Sequence, residues 1–148
     1  DFRDTLSDKK LIRKLLFTGF EKCLYPAQKF DSDTERQFAI LLDNQSQKWF
    51  KPVKGQVGII YKEGTNRPEY VPDFIAELDD AIIMVETKAS KDVNEETIQK
   101  KAHVAKEWCK NATEYSQQHG GKTWHYLLIP HDVVKSNMTL AHYIQQYG

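Results

Sequence analysis

"YVPDFIAELDDAIIMVETK", residues 70–88, decides the fold. Two runs rich in branched and aromatic residues flank Asp79 and Asp80, the pattern of a β-hairpin whose two acids form the turn. With Leu78 opposite Ala81, the register continues pair by pair until Asp73 stands directly opposite Glu86. Side chains alternate faces along a strand, so Glu86 and Lys88 emerge together and Asp73 joins them from the neighbouring strand. Directly opposed residues hold their Cβ atoms about 4.5 to 5.5 Å apart, a separation at which like charges repel. Phe74, Ile75, Ile82, Ile83, Met84 and Val85 surround them, and in such an apolar setting an unpaired carboxylate is costly or takes up a proton.

A divalent cation resolves that conflict. Magnesium takes carboxylate oxygens and fills its other positions with waters and phosphate oxygens. A metal that polarises a phosphoryl group and acidifies water, with Lys88 to orient the nucleophile or balance charge, suits hydrolysis of a phosphodiester. The same residues also have a plainer reading. Asp73 can accept a hydrogen bond at a strand start after Pro72, while Glu86 and Lys88 form a part-exposed ion pair at a sheet end.

Outward from the hairpin, the elements follow from periodicity and punctuation. Residues 5–24 carry Leu11, Ile12, Leu15, Leu16, Phe20 and Leu24 at helical spacing ahead of Pro26, which predicts an amphipathic helix. "DSDTERQFAILLD" (31–43) predicts a second helix, with Ser32 and Glu35 spaced as a capping box. "GQVGIIYK" (55–62) predicts a strand, and "EGTNRPE" (63–69) supplies the turn chemistry after it. Beyond the hairpin, residues 92–121 place Ile98, Ala102, Ala105, Cys109 and Ala112 on one helical stripe. Glu95 and Glu96 lie at its positive end and Gly120 and Gly121 close it. "TWHYLLIP" (123–130) predicts a strand stopped by Pro130, and a short helix follows over 139–147. The order predicts an α/β domain, a central mixed β-sheet of about four strands with helices on both faces. The long helix is the crossover that returns the last strand parallel to its predecessor.

Composition bounds the function. A chain of 148 residues, 40% of them hydrophobic, suits one domain with a sizeable core. Its 21 basic and 21 acidic residues cancel, so an anionic partner must be held by a local patch. Cys23 and Cys109 form no CxxC pair, which points to a reducing compartment. No apolar run nears the roughly 18 residues that span a bilayer, and the expectation is a soluble, cytoplasmic protein with no membrane partner. The glycosylation-like triplets at Asn44, Asn111 and Asn137 therefore carry no weight. A first residue of Asp1 suggests a segment of a longer polypeptide. The histidines match no HExxH spacing and no serine lies in a G-x-S-x-G elbow, so zinc-protease and serine-hydrolase chemistry are not indicated. His125 on the last strand could face the site, although a lone histidine on an apolar strand is more often a satisfied core residue.

The stretch from Gln47 to Lys62 holds Lys48, Lys51, Lys54 and Lys62 without one acid, interleaved with Trp49 and Phe50. Such a surface grips a phosphate backbone. Alternatively, the two aromatic residues anchor the segment in the core and the lysines are merely solvated.

"PD" at 72–73 followed by "ETK" at 86–88 resembles the PD-(D/E)xK nuclease signature. With "FDSDTERQFA", "KWFK", "YVPDFI", "VETKA" and "KKAHVAKEW" around it, the chain from about 30 to 130 is similar to the nuclease domain at the C-terminal end of type III restriction endonuclease subunits. That resemblance implies a restriction-endonuclease-like core. It also implies Mg2+ held by Asp73, Glu86 and the carbonyl of Thr87, and Lys88 positioning the attacking water. Glu35 matches an acid that points toward the metal in many such nucleases, beside its capping role. Lys100 and Lys101 fall where the family places a helix residue near the site, though surface lysines are ordinarily just solvated. The partners implied are double-stranded DNA, an ATP-driven translocase module in the parent polypeptide and a methyltransferase subunit that recognises the target. ATP enters only through that module, since no GxxxxGK loop is present. A repair or junction-resolving nuclease, an RNA-cutting enzyme of the same fold, and a non-catalytic DNA-binding module are the alternatives.

Overall fold

The structure, a computed structural model, describes residues 1–4 and 9–148. The hairpin is its centre. Strand β4 (Phe74–Glu77) runs antiparallel to β5 (Ala81–Lys88), pairing Phe74 with Val85, Ile75 with Met84, Ala76 with Ile83 and Glu77 with Ile82. The Leu78 N–H donates to the Ala81 carbonyl at 2.8 Å and closes the turn around Asp79 and Asp80. This is the register expected from the sequence. β4 starts at Phe74, so Asp73 lies one residue beyond the ladder, at the point where the register sets it opposite Glu86.

Strand β6 (Thr123–Pro130) lies parallel to β5, from Ala81 opposite Thr123 to Lys88 opposite Pro130. Helix α2 (Glu96–Gln118) makes the crossover between them, as a parallel neighbour requires. On the other edge, β1 (Lys48–Phe50) pairs antiparallel with β4, which gives the order β1-β4-β5-β6. The protein is thus mixed α/β, with a four-stranded mixed sheet compatible with a restriction-endonuclease-like core.

Alternation along β5 divides the interior. Ile83 and Val85 join Phe74, Ala76, Leu127 and Ile129 beneath α1 (Asp33–Gln45) and α3 (Leu140–Tyr147), which contribute Phe38, Leu41, Leu42, Leu140 and Tyr143. Met84 and Ile82 join Ile75 and Tyr126 beneath Ala102, Ala105 and Cys109 of α2. Helices therefore cover both faces. Continuing the same period of two places Glu86 and Lys88 on the α2 face, past the end of its apolar layer.

Three expectations are corrected. Residues 9–24 do not continue as an amphipathic helix: a 3-10 turn at Lys9–Lys14 gives way to extended chain bridging Phe17 to Gln28 and Cys23 to Trp49. The first part of that expectation, residues 5–8, lies outside the described residues. Ile12 and Phe17 are buried while Leu11, Leu16 and Leu24 are exposed, because the chain is held by these bridges rather than by one helical stripe. The strand expected over 55–62 shrinks to β2 (Ile59–Ile60), which pairs with β3 (Glu69–Tyr70) in a separate two-stranded sheet. The fourth strand of the main sheet comes instead from β1, where Trp49 enters the core and hydrogen-bonds its indole N–H to Asp43 at 3.0 Å.

Candidate active site

Asp73, Glu86 and Glu35 reach one end of the sheet from three different elements. At Asp73 the backbone ladder has ended, and the side chain takes it over: the Thr87 N–H donates to Oδ2 at 2.8 Å and the Thr87 hydroxyl at 3.1 Å. The other oxygen, Oδ1, accepts no hydrogen bond from the described residues, and Asp73 is half-buried, so this oxygen keeps access to solvent.

Glu86 is 8% exposed. Its Oε1 accepts from the Tyr70 hydroxyl at 2.6 Å, and Tyr70 shares a 2.9 Å hydrogen bond with Tyr126. The two phenols come from β3 and β6, so the small sheet is fastened to the large one at the candidate site. Burial, then the charge of Glu86, drives the Tyr70 phenol well above its ordinary range and keeps it a donor. Lys88 approaches Oε2 of Glu86 only to 3.9 Å and is itself 36% exposed.

Glu35 sits in the first turn of α1. Ser32 caps that helix by accepting the Glu35 N–H at 3.1 Å, but the reciprocal half of the capping box is replaced. Oε1 of Glu35 accepts from the Asp31 N–H at 3.4 Å and from the Lys51 ammonium at 2.5 Å. Lys51 also donates to the Asp73 carbonyl at 3.2 Å, and its ammonium lies 4.5 Å from the centre of the Phe74 ring.

The electrostatics follow from that crowding. Burial, and then the charge of Asp73, push the Glu86 carboxyl up to about 8. Burial and Asp73 likewise push Glu35 up to about 7, against the opposite pull of Lys51. Asp73 is raised by burial, although Lys51, Thr87 and Lys88 draw it down. Asp43 shows what a satisfied buried acid looks like. Burial would raise it too, yet the Trp49 indole, the N–H groups of Lys22 and Glu21, and Arg3 hold it below the ordinary carboxylate range.

Both plain readings of the motif are thus realised, the hydrogen-bonded Asp73 and the Glu86–Lys88 pair, and neither neutralises the cluster. The donor set suits a hard divalent ion. Asp73 Oδ1 and Glu86 Oε2 take no hydrogen bond from the described residues, the carboxyls repel each other, and magnesium needs only one or two carboxylates beside waters and phosphate. Among the described residues no three acid, histidine or cysteine side chains could enclose a metal alone.

The basic residues disperse. Lys48 is exposed and lies 3.8 Å from Glu77, Lys54 is exposed, and Lys51 is turned inward to the acids. Lys51 still forms one wall of a groove with Tyr25, Pro26, Gln28 and Val53. Lys100 pairs with Glu96 at 3.4 Å, while the Lys101 ammonium lies 5.5 Å from the Tyr61 ring centre. His125 pairs with Ile83 and lines a cleft with Leu78 and Asp80 at the other end of the sheet, away from Glu86. Sequence reasoning missed Tyr70 and Tyr126, since nothing local ties either to Glu86; only the docking of β3 beside β6 does. No protein-family model matches the chain, and no curated protein or solved structure is significantly similar to it.

Proposed function

We propose that this chain is a magnesium-dependent endonuclease domain that hydrolyses phosphodiester bonds of double-stranded DNA. The observation that carries the reading is the meeting of Asp73 and Glu86, from adjacent strands, in surroundings that leave their charge only partly balanced by Lys88. Asp73 and Glu86, with the Thr87 carbonyl as a third oxygen, would hold the ion. When bound, such an ion polarises a phosphoryl oxygen and lowers the pKa of water. The residues around it do the rest. The Tyr70 hydroxyl fixes one oxygen of Glu86 and leaves the other free, and the Thr87 N–H and hydroxyl do the same for Asp73. Lys88, part exposed with its ammonium 3.9 Å from Glu86, would orient the attacking water and offset charge on the phosphoryl group.

The resemblance to type III restriction nuclease domains supports a finer version. In it the domain belongs to a restriction-modification enzyme, receives DNA from an ATP-driven translocase in the same polypeptide, and relies on a methyltransferase subunit for its target. A repair or recombination nuclease of the same motif would share the chemistry and lack those partners.

The test is cleavage of plasmid DNA by the chain, alone and within its assembled complex, in magnesium, calcium and chelator. Asp73→Ala is expected to lower magnesium-dependent cleavage on the order of 100-fold or more, the scale for removing a group that stabilises transition-state charge, with DNA binding retained. A variant that cuts as well as a cutting parent would remove Asp73 from the chemistry, and a complex that never cuts leaves a non-catalytic DNA-binding module as the better account.

A further inference from the structure

Lys51 lies among the acids rather than on the surface. Its ammonium bonds Glu35 Oε1 at 2.5 Å and the Asp73 carbonyl at 3.2 Å, and the Phe74 and Phe30 rings flank it at 4.5 and 5.9 Å from their centres. Lys51 is mostly buried, at 15% side-chain exposure, and Glu35 is more so at 6%. A fixed positive charge thus occupies the gap between Glu35 on α1 and Asp73 at the head of β4.

We infer that the Lys51 ammonium stands where a second divalent ion would otherwise bind, so that the site takes one ion, held by Asp73 and Glu86, and Glu35 is a partner of Lys51 rather than a metal ligand. The inference rests on the metal-dependent reading above and deepens it. Charge supports it. With all three carboxyls ionised, as in a metal-loaded site, Glu35, Asp73 and Glu86 against Lys51 and Lys88 leave one negative charge. One divalent ion and one singly charged phosphodiester bring that to neutrality, whereas a second ion would leave two positive charges in a site walled by Phe30 and Phe74. Geometry supports it as well, because a second ion using Glu35 and Asp73 would have to share the space of an ammonium already in contact with both residues.

The experiment counts Mn2+ bound per chain by calorimetry and by electron paramagnetic resonance, on the 148-residue chain with its fold monitored by circular dichroism. The expected result is one ion for the parent protein. Lys51→Met, which keeps an apolar stem between the rings and removes the charge, is expected to double the count to two, and Lys51→Met with Glu35→Gln to return it to one. Lys51→Arg, which keeps the charge, is expected to stay at one. Two ions in the parent protein, or one ion in a folded Lys51→Met variant, would overturn the role given to Lys51 and leave the nuclease reading standing. If Lys51→Met does not fold, the parent and Lys51→Arg counts still decide, two ions in either refuting the inference. Binding of no ion by any form refutes the metal-dependent reading itself, and this inference with it.

Discussion

Glu86 carries the sharpest residue-scale consequence. Its folded carboxyl titrates at about 8 against an ordinary 4.5, and Glu35 is raised to about 7. A raised acid binds its proton more tightly in the folded state, so the stability it contributes is present below the unfolded pKa and lost as pH rises through the folded one. Without divalent ions, the melting temperature is therefore expected to fall between about pH 5 and pH 8.5. Glu86→Gln, which cannot ionise, is expected to flatten that slope, as thermal melts across the range would show. An equally steep decline in the variant would refute the assignment. Tyr70 offers a second handle. Its hydrogen bond lowers the Glu86 pKa, so Tyr70→Phe should let that pKa climb further and move the acidic limb of the cleavage profile to higher pH. It should also weaken divalent-ion binding by roughly 10- to 100-fold, as loss of a residue orienting a metal ligand commonly does.

Among the elements, α1 does two jobs from its two ends. Its first turn brings Glu35 to Lys51, and near its last turn Asp43 ties down the N-terminal segment through Arg3, the N–H groups of Glu21 and Lys22, and Trp49. Replacing Asp43 by Ala strands several buried donors, for an expected loss on the order of 3 kcal/mol in urea unfolding. Ser32→Ala removes only the helix cap and should cost about 1 kcal/mol. Both numbers are measurable without knowing the substrate. The β2–β3 pair behaves differently. Two residues in each strand give it little stability of its own, and it is held in place by the packing of Ile59, Tyr61 and Tyr70 on the α2 face.

For the molecule as a whole, a formal charge of zero would leave the proposed DNA binding to local lysines. Lys51 is committed internally, and Lys48 and Lys100 have acidic neighbours. Lys54 is exposed on the segment that carries Lys51. Lys54→Ala is expected to weaken binding nearly equally across DNA sequences and to reduce the salt slope by about 1, measured by fluorescence anisotropy at several salt concentrations. An unchanged slope would place the DNA elsewhere. No helix among the described residues is long and apolar enough to cross a membrane.

How much of this was legible depends on the range of the interaction. The hairpin register, the capped start of α1 and the parallel return of β6 follow from period, turn residues and chain direction, all of which act between near neighbours or through a rule of handedness. The same period of two put Asp73 and Glu86 together. The segment after residue 14 misled because leucines at helical spacing are equally compatible with chain pinned by distant bridges, and Trp49 was ambiguous because its indole had no visible partner until Asp43 was brought beneath it. The sequence by itself determined the register that sets Asp73 opposite Glu86. Only the tertiary structure decided what stands beside them, for the inward turn of Lys51 and the reach of Tyr70 to Glu86 are contacts across separate elements, set by packing that no local pattern encodes.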